Sequence, residues 1–119
     1  MTTERTTQLY SPECGKGWDG LLKLYWTIMR ERFPLVDTLQ IKEKFGTLRI
    51  YISLHPGVND PTAYWNEANR VVDAIEQLSR FICEDCGTSK DVHTKNISTQ
   101  RPWILTLCDT CREKRAATP

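Results

Sequence analysis

The stretch Cys83-Glu84-Asp85-Cys86 is followed, 21 residues later, by Cys108-Asp109-Thr110-Cys111. This pair of Cys-x-x-Cys motifs is the strongest structural signal in the C-terminal third, because each motif fits a turn that points both sulfurs at one centre. The separation is about one residue beyond the usual zinc-ribbon range of roughly 15–20. Four thiolates suit tetrahedral Zn²⁺, and a closed four-cysteine shell leaves no position for water or substrate. The sequence therefore predicts one structural zinc ion held by Cys83, Cys86, Cys108 and Cys111.

Two other uses of these cysteines stay open, namely a disulfide framework and a redox pair. Residues 1–8 are polar and lack the apolar segment of a signal peptide. No apolar run approaches the roughly 18 residues of a membrane span, so we expect a cytoplasmic protein without a membrane partner. Reduced cytoplasmic thiols favour metal binding over disulfides. The fifth cysteine, Cys14, is expected to be a small buried hydrophobe and not a further ligand.

The charge balance is typical of a protein that does not depend on nucleic acid. The 119 residues contain 16 basic and 15 acidic side chains, which gives a formal charge of +1. Four thiolates on one divalent ion would bring the loaded protein to about −1. Nucleic-acid-binding domains usually carry an excess of lysine and arginine. The length fits one domain, or a small domain with a zinc appendage.

Hydrophobic periodicity divides the rest of the chain into elements. Residues 1–13 are predicted to be a mobile tail, and residues 14–82 a helix–hairpin–helix core. In this core the patterns predict a helix over 21–33, capped by Asp19 and ended by Pro34. Strands over 38–45 and 48–54 follow, joined at Gly46. A second helix is predicted over 62–82, with a buried stripe that includes Leu78 and a solvated side that includes Glu76.

The zinc module, residues 83–111, is expected to dock directly on this core, because the second helix runs into Cys83. Strands are predicted over 92–97 and 103–107, and residues 112–119 are assigned to a C-terminal tail. The predicted fold class is α+β: two helices packed on a β-hairpin, with a C-terminal four-cysteine zinc ribbon or treble-clef module.

One face of the predicted hairpin is the candidate binding surface. Alternation places Arg49 and Tyr51 on the side opposite the apolar residues, together with Lys42 and Lys44. Arginine supports bidentate contacts to carboxylates or phosphates, and aromatic residues are enriched in binding hot spots. An ordinary solvated sheet face is the alternative interpretation.

The zinc module resembles, distantly, the frame of a zinc-bearing HNH nuclease. The resemblance rests on Cys83 to Gly87, Val92 to Lys95 and Leu105 to Cys111, and it would give His93 the first metal-binding position. Thr94 then occupies the place of the general base, although threonine cannot take up a proton near neutral pH. Trp103 and Arg112 stand where the asparagine and the final histidine are expected. These departures imply a catalytically dead frame, and no catalytic residue is predicted.

A second resemblance covers most of the chain. The segments Cys14-Gly15-Lys16-Gly17-Trp18, residues 40–51 (QIKEKFGTLRIY) and residues 103–111 (WILTLCDTC) are similar to a family of small uncharacterised zinc-finger proteins of bacteriophages and bacteria. This resemblance implies a phage-type accessory protein in the host cytoplasm. Such proteins commonly bind and inhibit a host or defence-system protein, or sequester its nucleotide signal.

We therefore expect a non-enzymatic inhibitor that binds a host or defence-system protein. The alternative is a nucleic-acid-binding zinc-ribbon regulator, in which Arg112-Glu113-Lys114-Arg115 contacts phosphates. A third alternative is a structural component of a larger particle.

Overall fold

The computed structural model describes residues 14–97 and 103–117, so the predicted tail over 1–13 and residues 98–102, between the two predicted strands of the zinc module, lie outside the described residues. A 3₁₀ turn, Lys16–Trp18, opens this part of the chain. The longer elements follow in the order α1 (Asp19–Arg32), β1 (Val36–Lys44), β2 (Thr47–Leu54), α2 (Pro61–Ser79), β3 (Val92–Asn96), β4 (Ile104–Cys108) and α3 (Asp109–Ala117). The predicted α+β class is confirmed.

Helix α1 begins without the predicted cap. Asp19 is the first helical residue, and the capping position is taken by Trp18, which makes no side-chain capping hydrogen bond. Trp18 is instead fully buried, and its indole N–H donates to the carbonyl of Ile82 (2.9 Å). The helix ends at Arg32, before Pro34, as predicted.

Strands β1 and β2 form the predicted hairpin. Phe45 and Gly46 both have positive φ, 55° and 78°, which is the backbone geometry of a two-residue type I′ turn. The hairpin starts earlier than predicted, at Val36, and the register shifts between Thr38 and Gln40. This irregularity leaves Leu39 56% exposed.

Helix α2 covers the outer edge of β2. The N–H groups of Leu48 and Ile50 point away from β1 and are accepted by Ser79 Oγ (3.0 Å) and a Glu76 carboxylate oxygen (2.8 Å). The prediction of a solvated Glu76 is therefore wrong, because a strand edge needs acceptors for its free N–H groups. Leu78, predicted to be buried, is 45% exposed, and the helix ends at Ser79 instead of residue 82.

The main core lies between α1, α2 and the inner hairpin face. Its fully buried side chains include Trp18, Tyr25 and Met29 from the N-terminal part, and Ile41 and Leu48 from the hairpin. The Tyr25 hydroxyl is hydrogen-bonded to Thr38 Oγ1 (2.8 Å) inside this core.

A second and smaller buried cluster belongs to the C-terminal module. Strands β3 and β4 pair antiparallel, and α3 follows β4 without a break. The module consists of a cysteine turn, a hairpin and a helix that begins at the second cysteine pair. This order is that of a treble clef, one of the two predicted alternatives. The prediction of a tail over 112–119 is wrong for Arg112 to Ala117, which belong to α3.

Within the described residues, no helix is long and apolar enough to cross a lipid bilayer.

Candidate metal centre

The four predicted ligand cysteines come together at one point. Their sulfur atoms lie within 4.8 Å of one another, and none forms a disulfide. The sulfurs of Cys86 and Cys108 are 3.8 Å apart. A tetrahedron of sulfurs around an ion with metal–sulfur bonds of about 2.3 Å has edges of about 3.8 Å. The donor set thus fits a tetrahedral metal ion, and four thiolates select zinc or iron over hard cations.

Local backbone structure positions both cysteine pairs. The first turn is closed by hydrogen bonds from Gly87 N to Cys83 O (3.0 Å) and from Cys83 N to Thr88 O (2.8 Å). Gly87 has φ +84°, which a residue with a side chain rarely adopts. The second pair joins the end of β4 to the first turn of α3, where the Cys111 N–H donates to the Cys108 sulfur (3.4 Å).

The electrostatics of the sulfur cluster favour a cation. Burial raises the pKa of Cys83, but hydrogen bonds from the backbone of Cys108, Cys86 and Asp85 outweigh it and lower the value to about 7. Burial and the neighbouring sulfurs raise the pKa of Cys111. The first thiolate therefore forms readily, whereas further thiolates repel it unless a positive ion lies between them.

Glu84 links the two halves of this centre. It lies directly after Cys83, is 4% exposed, and accepts a hydrogen bond from Thr106 N through its carboxylate (2.7 Å). Its own N–H donates to Thr106 O (2.9 Å). Burial raises the pKa of Glu84 to about 7, although the Thr106 bond opposes the shift. These two hydrogen bonds join the first cysteine turn to β4, as a neighbouring strand would be joined.

The Cys14–Trp18 segment packs so closely against the first cysteine turn that there is no room for a side chain at Gly15 or Gly17. The Gly17 N–H donates to Glu84 O (2.7 Å), and a Cβ on Gly17 would lie 2.0 Å from Cys83 O. A Cβ on Gly15 would lie 2.3 Å from Glu84 O. Cys14 is half-buried against the main core and is not part of the sulfur cluster. Burial raises its pKa to about 11, assisted by Asp19 and other acidic neighbours.

The turn of the β1–β2 hairpin contacts the other side of the hydrogen-bonded pair Glu84 and Thr106. Thr106 Oγ1 donates to Gly46 O, and the Thr94 and Thr106 hydroxyls are 2.6 Å apart. A Cβ on Gly46 would lie 3.0 Å from both Thr106 Oγ1 and Thr94 Cγ2. Thr106 itself is fully buried. Three segments distant in sequence therefore meet at Glu84 and Thr106.

The arginines of α3 are used within the module. The Arg112 guanidinium donates to four carbonyl oxygens of the β3–β4 hairpin, including His93 O (2.5 Å) and Leu105 O (3.2 Å). Arg115 forms a bidentate pair with Asp85 (2.7 and 2.8 Å), whose hydrogen bonds lower the pKa of that carboxyl. Both guanidiniums are partly exposed, but their hydrogen-bonding groups are already engaged within the module.

The residues quoted for the HNH resemblance form no second metal cluster among the described residues. His93 is exposed, and its Nε2 lies 3.6 Å from an Asp109 carboxylate oxygen. Arg112, at the place of the final histidine, clamps the hairpin backbone. The other histidine, His55, is bonded through Nε2 to Asp37 (2.6 Å).

The predicted binding residues share the outer face of the β1–β2 hairpin, as the alternation predicted. Lys42 is directly opposite Arg49 in the register, and Tyr51 is opposite Gln40. The Lys42 ammonium lies 5.6 Å from the centre of the Tyr51 ring, which is close enough for a cation–π contact. Among the described residues, no carboxylate lies within 4 Å of the charged groups of Lys42, Lys44 or Arg49. We call these four residues, Lys42, Lys44, Arg49 and Tyr51, the cationic face.

The residues that hold the module on the core, Glu84, Gly15 and Gly17, were not predicted from the sequence. The close glycine spacing beside Trp18 is the one sequence signal for a tight backbone contact. No signal identified its partner.

Comparison with known proteins adds no functional assignment: neither a family model, nor a curated protein, nor a solved structure matches the chain.

Proposed function

We propose that the chain is a zinc-stabilised, non-enzymatic binding protein whose cationic face docks on an acidic surface of a partner protein and inhibits it. The resemblance to phage zinc-finger proteins supports a host or defence-system protein as this partner. It also supports action in the host cytoplasm. Zinc is the proposed ion because four thiolates in a closed shell are its usual structural site.

The observation that carries this proposal is the unpaired charge of the cationic face. Like charges directly opposite on paired strands destabilise a hairpin, yet Lys42 and Arg49 occupy such a pair. Glu76 is near enough for Arg49 to lower its pKa, but it forms no ion pair with that residue. An acidic partner would relieve the repulsion between Lys42 and Arg49, and Tyr51, 43% exposed, would supply apolar contact area beside them.

The engagement of Arg112 and Arg115 favours a protein partner over nucleic acid. The regulator alternative needs basic residues that are free to reach phosphates. The two arginines of that segment instead bind backbone carbonyls and Asp85. The cationic face alone presents three positive groups, fewer than the 6–10 phosphate contacts that make strong nucleic-acid binders so sensitive to salt.

The test is co-purification of tagged protein from a bacterial host, with nuclease treatment. We expect a stoichiometric protein partner that survives nuclease, is retained by the control and is lost in the double variant Lys44→Glu/Arg49→Glu. The matched control, Lys23→Glu/Arg30→Glu, makes the same charge change at exposed positions of α1. Equal capture by both double variants would refute the cationic face. Recovery of nucleic acid, or loss of the partner on nuclease treatment, would favour the regulator alternative.

A further inference from the structure

The hairpin that carries the cationic face is anchored to the metal-binding module at its turn. Gly46 in the turn and Thr47, the first residue of β2, are both buried. The backbone at Gly46 is enclosed by Thr94, Leu105 and Thr106. Lys44 and Arg49 lie within three residues of this contact, so the position of the turn fixes the end of the face.

The surface that receives the turn depends on the cysteine cluster for its stability. Its buried members are Cys83, Leu105, Leu107, Cys108 and Cys111, so three of five are ligands. Only two of the five, Leu105 and Leu107, are aliphatic, and Val92 and Ile97 beside them are only partly buried. Small modules with so little apolar core fold when their metal binds, because the free energy of metal binding then contributes directly to folding.

The main core does not have this dependence. Its buried side chains come from the 3₁₀ turn (Trp18), from α1 and Phe33 after it, from the hairpin and from α2, and none is a cluster cysteine. The β2 edge is held by Ser79 and Glu76 of α2, and this contact does not involve the module. Loss of the ion should therefore release the hairpin turn and the Gly17 contact while the core stays folded.

We propose that metal occupancy controls the position of the cationic face. The bound ion keeps the first cysteine turn in place, this turn is hydrogen-bonded to β4 through Glu84 and Thr106, and Thr106 holds the turn of the β1–β2 hairpin. This inference rests on the proposed function for its consequence, that partner binding is metal-dependent. The coupling of the metal centre to the hairpin turn does not depend on any partner.

The test is amide hydrogen exchange of the full chain, loaded with Zn²⁺ or treated with a chelator. On chelation we expect protection to fall at least tenfold at Gly17, Thr47 and Thr106, and to change little at Ile50 and in the middle of α2. Retained protection at Thr47 would overturn the coupling. Loss of protection throughout α2 would also overturn it, because release would then be global unfolding.

Two threonine variants test the link while the metal stays bound. In zinc-loaded Thr106→Val, which removes the hydroxyl that donates to Gly46 O, exchange should rise at Thr47 and stay slow in α3. The matched variant Thr94→Val removes the neighbouring hydroxyl but keeps the Thr106–Gly46 bond, and should resemble wild type. Equal exchange at Thr47 in both variants would contradict the proposal that Thr106 links the metal centre to the hairpin turn. Failure here leaves the charge-reversal result intact, so the two proposals fail separately.

Discussion

Substitution of Gly17 by alanine is the sharpest test of how the module sits on the core. The added Cβ would lie 2.0 Å from Cys83 O and 2.5 Å from Glu84 C, and both atoms belong to backbone. The backbone of the first cysteine turn cannot move aside as the end of a flexible side chain can. The Cys14–Trp18 segment must therefore move away from the first cysteine turn.

The cost follows from the contacts that this movement breaks. Overpacking costs about 1–3 kcal/mol. The Gly17–Glu84 hydrogen bond is worth about 0.5–1.5 kcal/mol, and the buried bond from the Trp18 indole to Ile82 O a similar amount. We expect Gly17→Ala to lower the free energy of unfolding by roughly 3–5 kcal/mol, out of a typical total of 5–15. For a chain of this length the melting temperature should fall by roughly 10–20 °C.

Gly20→Ala is the matched control. Gly20 is in the first turn of α1, and a Cβ there meets nothing within 4 Å. Alanine should stabilise this helix by about 0.5–1 kcal/mol. Urea unfolding of both variants, each loaded with zinc, gives the comparison. A Gly17→Ala protein as stable as wild type would refute the close packing of this segment on the metal-binding turn.

Three further predictions concern the metal, a buried hydroxyl pair and a buried carboxylate. Cys111→Ser should lose tight binding of one equivalent of Zn²⁺, measured by competition with a chromophoric chelator, whereas Cys14→Ser should keep it; loss in both would mean that Cys14 is a ligand. Tyr25→Phe should destabilise the fold by about 1–3 kcal/mol because it leaves the buried Thr38 hydroxyl without its partner. Adding Thr38→Val should recover part of this loss in urea melts. No recovery would mean that the hydroxyl pair is not the cause. Burial raises the pKa of Glu76 above its ordinary 4.5, so its contribution is fully present below that pH and is lost as pH rises through the raised value. Glu76→Gln, which keeps an acceptor for Ile50 N, should therefore be more stable than wild type at pH 7 and equally stable at pH 4 in urea melts; an equal gain at both pH values would exclude the charge as its source.

Every long element except α3 could be predicted from the sequence alone, and so could the clustering of the four cysteines. Alternation over Leu48 to Leu54 and the turn at Gly46 are local properties of the chain, and so is the three- and four-residue spacing of α1. The Cys-x-x-Cys motifs specify their chemistry by residue type and spacing. The alternating pattern also placed Lys42 and Arg49 on one face, because side chains along a strand alternate strictly.

Contacts between segments distant in sequence could be read only from the folded chain. Glu76 and Glu84 look like solvated carboxylates in the sequence, but each accepts a backbone N–H from a strand far along the chain. Arg112 and Arg115 look like a free basic segment, yet carbonyls and Asp85 engage them. In the sequence Gly17 looks like a loop residue, whereas in the structure Cys83 lies against it. A local pattern records only whether a residue prefers water or the interior; hydrogen-bond partners and steric fit between distant segments exist only once the chain has folded.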